Sequence, residues 1–227
     1  MHDTTNAYGL WYLVLINSAV FILFAFSFVK PKSKTDWRSL GAFSAFVLAL
    51  FTEMYGFPLT VYLLSGWLGS KLPGLDLTHD AGHLWYALLG MEGDAHANPI
   101  HLAANLAIFG GFWLIWAGWK ELHAAHQEGA VAVTGPYARV RHPQYVGFVV
   151  IMLGFLLMWP TLPTLLMFPV LIWIYTRLAA REEAAVRAEF GADWEAWAQR
   201  TPAFLPWARP RPLRGPPPTA PSAHRTT

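Results

Sequence analysis

The fold is decided by one long uncharged stretch in the second half of the sequence. Residues 143–176 read PQYVGFVVIMLGFLLMWPTLPTLLMFPVLIWIYT and contain no Lys, Arg, Asp or Glu. An α-helix of about 20 residues crosses the ~30 Å hydrocarbon core of a bilayer. The stretch therefore forms either one overlong helix or two short helices joined at Pro160-Thr-Leu-Pro163.

The positions of the basic residues favour two helices. With the N-terminus outside and a turn at 160–163, the inside segments hold 15 of the 16 Lys and Arg residues: four at 30–38, three at 120–142 and eight from Arg177 onward. A single helix would place those last eight outside, against the positive-inside tendency. We therefore predict that the N-terminus is outside and the C-terminus is cytoplasmic. The expected location of the protein is a bacterial inner membrane.

Three further apolar stretches complete the predicted architecture. They cover residues 10–29, 39–70 with a bend at Gly56 and Pro58, and 100–119. The sequence thus predicts an all-α, multi-pass transmembrane protein of about five helices, including a short C-terminal helical hairpin. We expect an integral membrane domain at 1–206 and a disordered tail, rich in Pro and Arg, at 207–227.

Composition excludes several classes of protein. The 227 residues are 55% hydrophobic and only 13% charged, about half the charge of an ordinary soluble domain. The absence of Cys excludes disulfides, thiolate metal sites and a Cys nucleophile. A net charge of +2 gives no reason to expect nucleic acid as a partner. The bilayer is the expected partner, and the oligomeric state is not predicted.

The cytoplasmic side carries the dense polar sequence. Residues 134–147 lead into the predicted hairpin and residues 177–183 leave it, so the hairpin brings a His, several Arg, two Tyr and two carboxylates together. Such a group can bind a zwitterionic ligand. The alternative is that the basic residues only anchor the inner ends of the helices. These residues are Arg139, Arg141, Arg177 and Arg181.

Five blocks of sequence in this region resemble a known family. Together they are similar to the C-terminal signature of the membrane methyltransferases that include isoprenylcysteine carboxyl methyltransferases and phosphatidylethanolamine N-methyltransferases. The resemblance covers about residues 134–206, which makes this part the expected cofactor-binding core. The blocks are Gly135-Pro-Tyr137, Arg141-His-Pro-Gln-Tyr-Val-Gly147, Glu182-Glu183, Phe190-Gly191 and Thr201-Pro-Ala-Phe-Leu-Pro206.

The resemblance implies S-adenosylmethionine as methyl donor, bound at the cytosolic side without a Rossmann domain. It implies methyl transfer to a hydrophobic or membrane-partitioned, lipid-like acceptor. Carboxylates can accept hydrogen bonds from a ribose or an α-amino group, Arg can pair with the methionine carboxylate, and aromatic faces attract a sulfonium. The residues to which it assigns cofactor binding are Tyr137, Arg141, His142, Pro143, Tyr145, Gly147, Glu182 and Glu183.

Two residues are candidates for a catalytic role. Glu53 is the one acidic residue within an apolar span, and an intramembrane acid is a functional candidate by default. It would recognise the acceptor or handle a proton; alternatively it is a hydrogen-bonded carboxyl that ties helices together. Arg177 stands at the mouth of the hairpin, where anchoring is the alternative.

Several other patterns are interpreted without chemistry. His79 and His83 have the i, i+4 spacing of two metal ligands, with His96 and His101 nearby, but no H-E-x-x-H pattern occurs, and we predict no metal. Trp194 and Trp197 are expected in a short amphipathic helix after Gly191, as membrane anchors. Other tryptophans at three-residue spacing (Trp113, Trp116 and Trp119) are expected to pack or anchor. We expect His123 and His126 to have no special role, and Glu189 to lie on a solvated helix face.

Two other functions compete with methyl transfer. A membrane reductase of the sterol reductase type would bind a reduced nicotinamide cofactor at a comparable cytosolic site. A small transporter or structural helix bundle is the non-enzymatic alternative, although only one Pro-interrupted hairpin is present. The identity of the acceptor, and whether its O, N or S atom is methylated, stay open.

Overall fold

A computed structural model describes residues 9–28, 34–56, 59–60, 85, 89–90 and 98–208. Those residues contain helices and no strand, which confirms the all-α prediction. The elements are α1 (Trp11–Phe28), α2 (Lys34–Phe51), a π-helical turn (Thr52–Gly56), α3 (Pro99–Glu128), a 3-10 turn (Gly135–Ala138), α4 (Pro143–Met158), α5 (Leu162–Phe190) and α6 (Ala192–Ala198).

Five of these helices are apolar. Three stretches are long and apolar enough to cross a membrane: Arg38–Gly56, Pro99–Glu128 and Leu162–Phe190. Trp11–Leu23 and Pro143–Met158 are shorter apolar helices. The chain is therefore a multi-pass helical membrane protein. Which end faces the cytoplasm stays a prediction.

The predicted C-terminal hairpin is confirmed. Helix α4 ends at Met158 and α5 begins at Leu162. Thr161 caps α5, because its Oγ1 accepts the Thr164 N–H at 3.2 Å while the Thr164 hydroxyl accepts the Thr161 N–H at 3.3 Å. This reciprocal cap satisfies backbone donors that the first turn of a helix leaves without partners.

The helices alternate in direction, as two sets of contacts show. At one end, Gly9 N donates to Gly56 O at 2.8 Å, and the Leu162 N–H donates to Thr60 Oγ1 at 2.8 Å. The start of α1, the end of α2 and the α4–α5 turn therefore lie together, and we call this the hairpin end. Further along α5, the Tyr175 hydroxyl donates to Ser39 O, near the start of α2, at 3.3 Å. The end of the bundle on this side, which includes the charged part of α5, is called the charged end.

Small residues let α3 and α4 approach closely. A Cβ placed on Gly147 would lie 2.5 Å from Ile115 Cγ1 and 2.9 Å from Gly111 O. A Cβ on Gly154 would lie 2.6 Å from Ile108 Cγ1. Glycine at these positions permits the close helix packing that is typical of membrane bundles. The contact fixes where the outer part of α3 stands relative to the start of α4.

Two helices extend well beyond the predicted spans. Helix α3 was expected to end at residue 119 but continues to Glu128, where Gly129 closes it with φ of +64°. A 30-residue helix is about 45 Å long, which exceeds the hydrocarbon core. The charges that follow Trp119 end the membrane span without ending the helix. In the same way, α5 continues past its apolar part to Phe190.

The second predicted span is described only in part. Helix α2 ends at Phe51 and continues as the π-helical turn up to Gly56, where the bend was predicted, and most of residues 57–70 lies outside the described part of the chain. Several predictions concern residues outside the described part of the chain: Pro58, His79, His83, His96 and all of the tail after Ala208.

Candidate functional site

A cavity of about 480 Å³ lies at the charged end of the bundle. Its volume is in the range of pockets that hold small molecules and cofactors. Helices α2 to α6 and the segment before α4 all contribute to its wall. Its polar lining residues include His123, His126, Tyr137, Arg141, His142, Gln144, Tyr145, Arg181, Glu182, Glu183 and Glu189.

Glu183 receives two donors from the start of α4. Its Oε1 lies 2.8 Å from Arg141 Nε and 2.9 Å from His142 Nε2. The Arg141 and His142 side chains are only 6% and 8% exposed, so these contacts are shielded from bulk water. Charge-assisted hydrogen bonds of this kind are short and strong.

Glu182 is held in the same neighbourhood. The Tyr145 hydroxyl donates to its Oε1 at 2.5 Å, and Oε2 lies 3.8 Å from His142 Nδ1. The five residues Arg141, His142, Tyr145, Glu182 and Glu183 are called the carboxylate network below. These contacts confirm the prediction that the hairpin brings residues 134–147 and residues 177–183 together.

The pKa of Glu183 lies below its ordinary value. Burial acts to raise the pKa of this carboxyl, but the hydrogen bonds and positive charges of His142 and Arg141 outweigh burial. The residue stands in the charged part of α5, beyond the apolar segment that ends at Thr176. The carboxylate is thus ionised at neutral pH, and an ionised carboxylate only accepts hydrogen bonds.

The C-terminal segment closes the network from the other side. Arg141 Nη1 donates to the Ala198 and Thr201 carbonyls, both at 2.8 Å. The backbone N–H groups of Arg141 and His142 donate to Pro202 O at 2.9 Å and Ala203 O at 3.1 Å. The block Thr201 to Pro206 thus contributes to the site by holding Arg141 and His142 in place.

A glycine turn folds α6 back against this region. Gly191 adopts φ of +53° and ψ of −121°, a conformation that residues other than glycine rarely adopt. An ion pair of 2.6 Å between Arg187 Nε and Glu195 Oε1 then joins α5 to α6. Trp194 is buried as a result, and together with Trp197 it lines the cavity. The two tryptophans are part of the cavity wall, so the expectation that they only anchor α6 in the membrane was wrong.

Tyr137 comes to the cavity from the 3-10 turn. Its hydroxyl donates to Gln144 Oε1 at 3.1 Å. The turn is attached to α3, because Gly135 has φ of +56° and a Cβ there would lie 2.9 Å from Glu121 Cγ. Tyr137 therefore lines the cavity with α3 on one side and α4 on the other.

Two residues assigned to cofactor binding lie outside the lining. Gly147 faces α3 in the close helix contact described above, and Pro143 packs against Gly118, where a Cβ would lie 3.2 Å from Pro143 Cγ. Their positions set the spacing of α3 and α4. A direct contact of either residue with a cofactor stays a prediction.

Neither catalytic candidate is in the cavity lining. Glu53 is 4% exposed and its Oε2 accepts the Thr60 N–H at 3.0 Å, at the hairpin end. Leu162, which bonds Thr60, is separated from Glu183 by about 32 Å along α5. The structure therefore places Glu53 too far away to touch a ligand in this cavity, and its geometry is that of a carboxyl that ties the chain together.

Arg177 lies outside the cavity lining. Its side chain is exposed, and its guanidinium carbon lies 4.8 Å from the centre of the Trp173 ring. Arginine stacked on tryptophan is a cation–π contact that suits the membrane boundary. The anchoring alternative fits this placement, and the catalytic one does not.

The comparisons with known proteins cover the elements that build this cavity. Residues 99–193, from the start of α3 into α6, match the phospholipid methyltransferase family. Among curated proteins, the protein-S-isoprenylcysteine O-methyltransferase of Schizosaccharomyces pombe is 29% identical over 82 residues, which are 36% of this chain. No solved structure matches the chain.

The aligned region is limited on both sides. It spans about a third of the length of the S. pombe protein, 35%. Within this chain the family match omits α1 and α2, which include Ser39 and Leu40 of the cavity wall. The phospholipid methyltransferase match extends further towards the N-terminus than the resemblance seen in the sequence, because it includes α3.

The residues that sequence reasoning missed in this region lie on the outer parts of α3 and α5. Trp119, His123 and His126 of α3 line the cavity, as does Glu189 of α5. Arg181, for which the sequence left both solvent and site open, lines it as well. Glu189 is exposed, as expected, and it also lines the cavity. A signal existed: Glu189 lies seven residues after Glu182, so two full helical turns place both on one face.

The cavity fits an adenosylated amino acid in size and chemistry. Carboxylates, a buried guanidinium and aromatic rings all face the same space. In addition, the buried indole N–H of Trp197 has no hydrogen-bond partner within the described residues. Buried donors without partners are rare, and a ligand or water commonly satisfies them. The described residues contain no group of three or more His, Asp or Glu side chains placed to hold a metal ion.

Proposed function

We propose that this protein transfers a methyl group from S-adenosylmethionine to a hydrophobic or membrane-partitioned acceptor. The observation that carries the proposal is the carboxylate network, in which Glu182 and Glu183 of α5 are oriented by Tyr145, His142 and Arg141 at the start of α4. Its residues coincide with the sequence blocks that resemble the membrane methyltransferases. The family match over α3 to α6 supports the same reaction.

The role of the network is to bind and orient the donor. The two carboxylates accept hydrogen bonds, and their own positions are fixed by donors from α4 and, through Arg141, from the C-terminal segment. When bound, S-adenosylmethionine supplies an electrophilic methyl group whose bond to sulfur breaks as the lone pair of the acceptor forms the new bond to carbon. The protein contributes alignment of the two reactants and exclusion of water, which together lower the barrier of such a displacement.

The acceptor approaches from the apolar part of the cavity. Leu40, Ile115 and Phe148 line it and are buried hydrophobic residues of the bundle core. The S. pombe relative is named for an acceptor that carries an isoprenyl group. An acceptor with a long apolar group therefore suits this chain as well, and the atom that is methylated follows from acceptor chemistry rather than from the fold.

The reaction takes place at the cytosolic face. Residues 134–206 form its core together with α3, and the basic residues around the charged end support the orientation with N-terminus outside and C-terminus cytoplasmic.

Ligand binding distinguishes this function from its competitors. Calorimetric titration of detergent-purified protein should show binding of S-adenosylmethionine and no binding of NADPH. Binding of NADPH alone would favour the reductase alternative. Binding of neither would remove both enzymatic functions and leave a transporter or helix bundle.

A further inference from the structure

Two charged residues of the cavity stand apart from the carboxylate network. Arg181 and Glu189 both line the cavity, and neither makes a hydrogen bond or ion pair with the described residues. In the network, by contrast, Glu183 is paired with both Arg141 and His142. The cavity therefore presents one exposed cation and one exposed anion that are unpaired within the described part of the chain.

The spacing of the two residues explains why they do not pair with each other. They are eight positions apart on α5, which is about 12 Å along the helix axis. Side chains that pair on a helix are three or four positions apart. Ala185 lies midway, four residues from each, and also lines the cavity. Val186 and the two network carboxylates also line the cavity between the two charges, so a group bound there would lie beside Glu182 and Glu183.

An α-amino acid has the matching chemistry. Its carboxylate is the natural partner of a guanidinium, which can donate two parallel hydrogen bonds. Its ammonium group is the natural partner of a carboxylate. A ligand whose carboxylate and ammonium groups lie between the two positions, which are ~12 Å apart along the helix axis, can contact both side chains.

We propose that Arg181 and Glu189 hold the amino-acid end of the methyl donor, with Arg181 binding its carboxylate and Glu189 its ammonium group. This assignment rests on the proposed function. With the amino-acid end held in this way, the carboxylate network contacts the nucleoside end of the donor. There Glu182 and Glu183 can accept hydrogen bonds from the ribose hydroxyls. It also gives a role to residues that lie outside the sequence blocks of the resemblance.

The test compares ligands with and without the amino-acid end. S-adenosylhomocysteine carries this end and 5′-methylthioadenosine lacks it. Titration calorimetry on detergent-purified protein should show that Arg181→Gln and Glu189→Gln each bind S-adenosylhomocysteine about tenfold more weakly than the parent, a loss of about 1.4 kcal/mol. Binding of 5′-methylthioadenosine should be the same in all three proteins.

A third ligand separates the two side chains. Decarboxylated S-adenosylmethionine keeps the ammonium group but has no carboxylate. Arg181→Gln should bind it as the parent does, whereas Glu189→Gln should bind it more weakly. The reverse pattern, or equal loss in both variants, overturns the assignment of one group to each residue.

Matched controls are available on the two long helices, Arg177 on α5 and Glu128 on α3. Arg177→Gln removes an exposed guanidinium that stacks on Trp173, and Glu128→Gln removes an exposed carboxylate at the end of α3 that is outside the cavity lining. Both should bind S-adenosylhomocysteine with the affinity of the parent. Unchanged affinity in Arg181→Gln and Glu189→Gln as well would overturn the proposal.

The parent protein provides a test that does not depend on folding of a variant. S-adenosylhomocysteine should bind it at least tenfold more tightly than 5′-methylthioadenosine, and equal affinities overturn the proposal. Failure of the parent to bind any of these ligands would instead contradict the proposed function.

Discussion

Arg141 Nε and Glu183 Oε1 lie 2.8 Å apart although 42 residues separate them in the sequence. The contact joins the segment before α4 to the charged part of α5, and the same guanidinium holds the Ala198 and Thr201 carbonyls. One buried arginine thus connects three parts of the chain. A carboxylate oriented in this way is ready to accept hydrogen bonds from a ligand without rearrangement, which reduces the free energy needed to order the site on binding.

The first prediction concerns donor affinity. Glu183→Gln and His142→Ala should each weaken binding of S-adenosylmethionine at least tenfold, because a hydrogen bond to a charged group contributes about 1.5–3 kcal/mol. Titration calorimetry on detergent-purified variants measures the loss. Glu128→Gln is the control. Parent-like affinity in both variants would remove the carboxylate network from the donor site.

The second prediction concerns stability against pH. Because the folded-state pKa of Glu183 lies below its ordinary value of 4.5, its contribution to stability is fully present above that value. The contribution is lost as pH falls through the lowered, folded-state pKa. The melting temperature of the parent should therefore exceed that of Glu183→Gln at pH 7, and the difference should shrink on acidification below pH 4.5. A difference that stays constant down to pH 2 would contradict an ionised Glu183.

The third prediction uses two adjacent glycines of α3. A Cβ on Gly111 would lie 2.5 Å from Ile151 Cγ1, whereas a Cβ on Gly110 would meet nothing within 4 Å. Gly111→Ala should therefore lose about 1–3 kcal/mol of stability through overpacking against α4. Gly110→Ala gains the same helix propensity without the clash, so it should be neutral or stabilising.

Thermal denaturation of the two alanine variants in the same detergent measures this effect. Donor affinity should also fall in Gly111→Ala, because the α3 wall of the cavity is displaced. Equal melting temperatures would show that the close contact of α3 with Gly147 is not required.

The fourth prediction separates Glu53 from the reaction. Glu53→Leu removes the acceptor of the Thr60 N–H, and leaving such a buried group without a partner costs about 1–3 kcal/mol. Donor affinity should be unchanged, since Glu53 is at the hairpin end. Thr60→Val, which removes the acceptor of the Leu162 N–H, should have a similar effect on melting temperature. Lost donor affinity at an unchanged melting temperature would restore a functional role to Glu53.

The fifth prediction tests the orientation in the membrane. The chain has no Cys, so single cysteines can be introduced without background. In intact cells a membrane-impermeant thiol reagent should label Thr4→Cys and Asp94→Cys, and should label Glu128→Cys and Ser222→Cys only after lysis. Labelling of the last two positions in intact cells would reverse the predicted orientation.

The sequence by itself was sufficient to predict the helical hairpin. The positions of the charged residues can be read directly from the sequence, and charge is costly to bury in hydrocarbon. The uncharged stretch therefore had to lie in the membrane, and the basic residues that follow it favoured two helices over one. The motif blocks likewise predicted that Tyr145 and Glu182 belong to one site. Both inferences depend on local pattern and on an unavoidable energetic rule, and neither needs the packing of distant helices.

The location of Glu53 and the outer wall of the cavity were decided only by tertiary structure. An acid within an apolar span must find a partner, but the sequence does not say whether that partner is a ligand or the backbone of Thr60. Likewise, the polar stretch after Trp119 has no membrane signal, so nothing local indicates that α3 continues and faces Glu189. Which residues share a cavity depends on how helices pack, and packing here follows from the few glycines at which α3 and α4 meet.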